Sequence, residues 1–149
     1  MISNSWMKAP FVFIWWVVLG HSATAQHSVL GSWKTIDDES RKPKFIVEIY
    51  EQNGLVFGRI VRLFPEPGED SDPICDKCID YRKDQKISGM TILNSMEKDG
   101  DQWAGGQIMD PENGKTYRCR IWLEDGTLKV RGYVAFFLRT QTWIQGQFL

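Results

Sequence analysis

WAGGQIMDPENGKTYRCRIWLEDGTLKVRGYVAFFLRTQTW, residues 103–143, reads as four β-strands joined by turn signals. Apolar and polar residues alternate with a period near two, the pattern of a half-buried strand. Pro111-Glu112-Asn113-Gly114 and Asp125-Gly126 interrupt it with residues that favour tight turns. The same pattern runs upstream. Phe45, Val47 and Ile49 share one face of 45–51, Asn53-Gly54 is a strong hairpin signal, and 55–64 returns as the partner strand. Lys98-Asp99-Gly100 supplies a further turn. With 29–36, 87–96, 102–109, 115–124, 127–137 and 139–145, about eight strands are predicted. No stretch carries a helical stripe. The expected fold is all-β, an antiparallel meander. Left open, such a meander exposes two edges, so closure into a barrel is expected. A barrel of about eight strands is either filled by its own side chains or holds one small ligand.

The N-terminus reads differently. Lys8 precedes an apolar run, 11–19 (FVFIWWVVL), and Ala23-Thr24-Ala25 ends a small-residue stretch of the A-x-A type. Residues 1–25 are therefore expected to be a secretory signal peptide, and 26–149 a single β-barrel domain. The apolar run is shorter than the roughly 20 residues a membrane-spanning helix needs. The mature chain is expected in the periplasm or outside the cell, with no stable membrane insertion after cleavage. The whole chain carries 18 basic and 19 acidic residues, and losing Lys8 makes it slightly more acidic. That balance gives no electrostatic footprint for nucleic acid.

Cys75-Asp76-Lys77-Cys78 lies in a long polar connection, 65–86. Loops of that length are uncommon unless functional or disordered. A disulfide staple is the favoured reading of Cys75 and Cys78, and export permits one. A metal site or a redox-active pair are the alternatives. The redox reading lacks a strand–helix context. The metal reading lacks a second CxxC and any histidine inside the mature domain, where His27 is the sole histidine and sits at the terminus. No metal or other cofactor is expected. Cys119 shares a face with Tyr117, Ile121 and Leu123, so it is expected in the core, with pairing to Cys75 or Cys78 as the alternative.

Catalysis by a Ser–His or Cys–His pair is unsupported, because His27 has no rigid scaffold. Asp110, Glu112 and Glu48 leave carboxylate chemistry open, although Asp110 reads more simply as the acceptor that organises its own turn. Gly105-Gly106 falls inside a strand pattern, where glycine marks a bulge, a bend or a close backbone approach. Trp33 opens the first strand and Arg139 begins the last. In a closed barrel those strands are neighbours, so Arg139 is expected to cover the Trp33 indole and close one end. The alternative is that Arg139 binds an anionic ligand inside.

These residues carry a resemblance. Gly31-Ser32-Trp33, Val47-Glu48-Ile49-Tyr50, Gly58-Arg59-Ile60-Val61, Asp110-Pro111-Glu112-Asn113-Gly114-Lys115-Thr116-Tyr117 and Arg139-Thr140-Gln141-Thr142-Trp143 are similar to the exported bacterial family called domain of unknown function 2147. The G-x-W opening with a C-terminal arginine also resembles the calycins, the lipocalin and fatty-acid-binding barrels. What this second resemblance implies is a ligand-holding cup, by analogy of fold.

The expected function is therefore non-catalytic binding of a small, partly apolar molecule. Tyr50, Phe57, Trp122, Tyr133, Phe137 and Arg139 are the candidate lining, with 65–86 as lid or rim. A one-residue register error reverses every such assignment. Two alternatives stand beside it. One is a solid-core envelope structural or interaction module docking through Phe136, Phe137 and Trp143. The other is a carboxylate-dependent enzyme acting on envelope carbohydrate.

Overall fold

Asn53 and Gly54 both take positive φ (53° and 78°), as do Asp125 and Gly126 (51° and 72°). This is the backbone that lets two residues reverse a right-twisted strand pair. Around these and the other turns, a computed structural model describing residues 28–147 places nine strands. They are β1 (Gly31–Ile36), β2 (Pro43–Gln52), β3 (Leu55–Leu63), β4 (Thr91–Asp99), β5 (Gln102–Ala104), β6 (Gln107–Asp110), β7 (Lys115–Glu124), β8 (Thr127–Val134) and β9 (Phe137–Gln145). The signal-peptide segment lies outside the described residues.

All pairings between these strands are antiparallel, and the sheet closes. β1 pairs with β2 on one side and β9 on the other, with Trp33 opposite Gln145 and Lys34 opposite Ile144. β3 pairs with β4, and β7 with β8. β5 and β6 lie between β4 and β7 and together fill one position, so the barrel has eight strands in cross-section.

The single strand predicted at 102–109 is divided by Gly105-Gly106. Against β4 the register survives the break, with Glu97 opposite Ala104 and Leu93 opposite Ile108. Against β7 it slips by one residue, from Trp103 opposite Ile121 to Gln107 opposite Arg118. Only glycine fits at the slip. A Cβ on Gly106 would lie 2.3 Å from the Asn94 carbonyl oxygen and 2.5 Å from the Met96 sulfur. The expected bulge is present, and its cause is this close approach.

Inward-facing residues alternate as a half-buried sheet requires. Val47, Ile49, Val56, Ile60, Leu93 and Ile121 pack in the barrel interior, each at most 2% exposed. Trp33 is buried beside them, and its Nε1 donates to the Val29 carbonyl at 2.7 Å, which satisfies the indole's one polar atom.

The long connection folds onto the barrel end. Ile74 and Lys86 form an isolated bridge, and Cys75 and Cys78 form the expected disulfide. Both cysteines belong to the core, at 0% and 2% exposure, with the Cys78 sulfur 3.9 Å from that of Met109. Arg82, also buried, holds the loop down. Its guanidinium donates to the Thr91 carbonyl at 3.2 Å and the Thr116 hydroxyl at 3.3 Å, and pairs with Asp80. That pairing keeps the Asp80 carboxyl below the usual carboxylate range.

Cys119 is free and buried, and desolvation pushes its thiol up to about 12. Unreduced protein should therefore show one reactive thiol when denatured and none when native, by titration with a chromogenic disulfide reagent. A pH dependence follows as well. Between the ordinary thiol value near 9 and about 12, the unfolded chain ionises Cys119 and the folded chain does not. Stability should then fall as pH rises above 9, by roughly 1.4 kcal/mol per unit. Denaturant melts of wild type against Cys119→Ala isolate this slope from the titration of other groups.

Candidate functional site

At the barrel end where β1, β6 and β8 finish and β7 and β9 begin, the interior is not filled. A cup of about 330 Å³ opens there. Its base is apolar, formed by Ile92, Met109, Val130 and Trp143, all buried. Polar groups gather towards the mouth, among them Asp37, Asp110, Asn113, Gln141 and Arg139. This apolar body with a few placed polar groups is the usual composition of a small-molecule site, and the volume lies at the lower end of such sites.

Gly132 is central to the vacancy. It lines the cup from β8, opposite Cys119 on β7 and Arg139 on β9. A Cβ placed there would meet only the Tyr117 Cβ, at 3.9 Å, an ordinary contact. Space, rather than turn geometry, distinguishes this glycine, whereas Gly106 and Gly114 sit against backbone.

The turn after β6 forms one side of the mouth. Asp110 accepts from the Glu112 amide and the Asn113 side-chain amide, both at 2.9 Å, and Gly114 N donates to the Asp110 carbonyl at 2.8 Å. The turn reading of this segment is thus correct, yet the same turn lines the cup. Glu112 pairs with Lys44, whose ammonium is held above its ordinary value chiefly by that bond. Lys44, Phe45, Pro111 and Glu112 also border a neighbouring cavity of about 320 Å³ under the 65–86 loop. The loop and these residues therefore form the rim between two hollows. Asp37 is held below the usual carboxylate range by hydrogen bonds from Ser40. Neither Asp37 nor Asp80 is thus tuned upward towards a general acid. Among the described residues, no group of three or more His, Cys, Asp and Glu is placed to hold a metal.

Of the six residues expected to line the interior, Phe137 and Arg139 reach the cup. Tyr50, Phe57, Trp122 and Tyr133 face outward. Tyr50 stacks on Phe57 with ring centroids 5.8 Å apart, under the Arg59 guanidinium. Arg131 covers Trp122 at 4.9 Å. The cause for Tyr133 is a misplaced turn. Residues 127–137 were expected to run as one strand, but the chain reverses at Ala135-Phe136, with Ala135 at φ 49°. Val134 then pairs with Phe137 at the hairpin end and both line the cup, while Tyr133 pairs with Leu138 outside. Trp143, expected at an exposed docking surface, is 1% exposed and forms part of the base. Ile92, Ile108, Tyr117, Gly132 and Gln141 were not anticipated as lining. Counting back from Trp143 in steps of two gives Gln141, Arg139 and Phe137, so the β9 members were available from parity alone.

The closing role expected of Arg139 also fails. The last strand pairs with Trp33 at Gln145, six residues from Arg139, which is about 20 Å along an extended strand. Arg139 instead donates to Asp38 at 2.7 and 2.9 Å, and that bond raises its already high pKa. Closure comes from backbone pairing of β1 with β9. Both partners of the Arg139–Asp38 pair are substantially exposed, 55% and 40% by side chain, so Arg139→Ala should change stability by less than about 1 kcal/mol. A thermal melt checks this; a loss of several kcal/mol would restore a closing role.

An eight-position antiparallel barrel, closed first strand to last and hollow at one end, is a lipocalin-like architecture. It is similar to a solved structure described as "Protein HP1028 from the human pathogen Helicobacter pylori belongs to the lipocalin family", with a TM-score of 0.68 at 18% identity, over 81% of this chain and 84% of that one. The chain belongs to the family described as "Uncharacterized protein conserved in bacteria (DUF2147)", whose model matches residues 31–145. No curated protein sequence matches it.

Proposed function

We propose that this protein is an exported, non-catalytic carrier that binds one small amphipathic molecule in the cup, apolar part towards Trp143 and polar part at the mouth. The observation that carries the reading is the unfilled interior at Gly132: an inward-facing strand position bordering a cavity, with room for a side chain and none supplied. A solid-core structural module would gain stability by filling it. Arg139, Gln141 and Asn113 offer donors for a polar head, while Val130, Ile92 and Trp143 offer the apolar seat. Export is supported by the signal-peptide pattern of residues 1–25 and is compatible with the Cys75–Cys78 disulfide.

The test uses 1-anilinonaphthalene-8-sulfonate, an aromatic probe with an anionic head. Saturable binding of one molecule per chain, competed by a medium-chain fatty acid, is the expected result. Native mass spectrometry of protein isolated from its own cell envelope should then show a retained small adduct. Non-saturable probe binding together with an adduct-free native mass would sink the carrier reading.

A further inference from the structure

The hairpin between β8 and β9 breaks the rule the other tight turns obey. Asn53-Gly54, Asp125-Gly126 and Gly100-Asp101 are polar and glycine-containing; this turn is Ala135-Phe136, between Val134 and Phe137. Ala135 holds φ 49°, a left-handed conformation that disfavours any residue with a Cβ. Phe136 is fully exposed, Phe137 64% and Leu138 57%. A strained turn that carries aromatic residues into solvent gives up both local stability and apolar burial, the kind of exception that marks function.

A second feature adjoins it. The outward residues of β7 and β8 are Arg118, Arg120 and Trp122, opposite Tyr133, Arg131 and Lys129 respectively. Arg120 thus faces Arg131 directly, a like-charge pairing that costs stability in a sheet. Arg120 is relieved by Asp99 at 3.0 Å and Lys129 approaches Glu124 at 3.6 Å, but Arg118 and Arg131 meet no carboxylate among the described residues. On a chain of net charge −1 this is a local basic and aromatic face. At the rim, Lys42, Lys44 and Arg139 are paired with Glu66, Glu112 and Asp38, and Glu69 and Asp70 line the neighbouring cavity, so the positive charge beside the tip comes from the β7–β8 face alone.

We infer that this hairpin and the flanking basic face dock the protein on an anionic lipid surface, Phe136 and Leu138 entering the interfacial region while Arg118 and Arg131 meet the headgroups. The charge complementarity calls for an anionic partner. The apolar tip favours a bilayer over a soluble polyanion, which has no apolar phase to receive it. Because Phe137 and Val134 also line the cup, a docked hairpin would bring the mouth to the membrane. This goes beyond the carrier reading and stands without it: docking needs the outer face, not an occupied cup.

The experiment is flotation of the mature chain with vesicles of phosphatidylcholine alone or mixed with phosphatidylglycerol. Binding is expected to the mixed vesicles, falling at least tenfold in 0.5 M salt, in Phe136→Ser, and in the Arg118→Glu, Arg131→Glu double variant, with melting curves confirming that each folds. Gly132→Phe, which occupies the cup, is expected to keep vesicle binding, so failure of the carrier reading and of this one are separable. No binding to the mixed vesicles, or binding undiminished in Phe136→Ser, overturns the inference. Retention on dextran sulfate without vesicle binding overturns it in favour of a soluble polyanion.

Discussion

A Gly114→Ala variant is expected to lose about 2–5 kcal/mol of stability, with a melting temperature lower by roughly 8–20 °C. Two costs add. Gly114 holds φ 71°, where a Cβ costs about 1–2 kcal/mol. That Cβ would also lie 2.0 Å from the Lys77 carbonyl oxygen, 2.3 Å from its carbon and 2.7 Å from the Cys78 nitrogen. All three are backbone atoms, so no rotamer change relieves the overlap, and the loop carrying the disulfide must retreat. Forced overpacking of this kind costs about 1–3 kcal/mol. Retreat would pull the Lys77 ammonium from the Glu112 carbonyl, now at 2.9 Å, and lift the buried Cys75–Cys78 bridge off Met109 and Pro111. Gly54→Ala is the control. Gly54 also has positive φ, 78°, but nothing lies within 4 Å of its would-be Cβ. The excess loss in Gly114→Ala over Gly54→Ala measures the loop contact. Equal losses in the two variants would mean the loop is not seated on the β6–β7 turn.

That contact shows where sequence reading stops. The turn chemistry of Asp110-Pro111-Glu112-Asn113-Gly114 was legible, because Asp and Asn side chains organise their own backbone. The second constraint on Gly114 was not, since it comes from Lys77, far away in the chain and part of no periodic pattern. The strands were legible for the opposite reason: alternation is local, and burial on one face enforces it. Strand parity also sets the faces of the aromatic residues. Placing Cys119 and Ile121 inside forces Trp122 outside, and placing Val47 and Ile49 inside forces Tyr50 outside. Large aromatic side chains suggested a lining, but here they stack under arginines on the outer face, where a cation–π contact shields part of each ring. The Ala135-Phe136 turn was illegible because it uses none of the residues that announce a turn. The unusual residues of that hairpin are the ones the docking inference uses.

Gly132→Phe is expected to weaken binding of the anilinonaphthalene probe at least 100-fold, about 2.7 kcal/mol, while leaving the fold intact. Gly132 differs from Gly58 and Gly106, the buried glycines of the sheet region. Gly58 has Leu93 and Val47 side-chain atoms at 3.0–3.1 Å from its would-be Cβ, and Gly106 has backbone at 2.3 Å. Gly132 has only Tyr117 at 3.9 Å, lies on a regular stretch of β8, and faces the cup. An aromatic side chain there enters empty apolar space beside Val130 and Trp143. It also replaces glycine, which weakens strands, with a residue that strands favour. The melting temperature should therefore hold or rise, unlike that of Gly114→Ala. Gly132→Val should fall between wild type and Gly132→Phe in affinity, because it fills less of the same space. Trp122→Ala and Tyr133→Ala supply the opposing control: both side chains face outward, so probe affinity should stay within about twofold. If Gly132→Phe binds the probe as wild type does, the cup is not the site. If Trp122→Ala abolishes binding instead, the molecule is held on the outer face, and the hollow beneath Arg139 is only a packing defect.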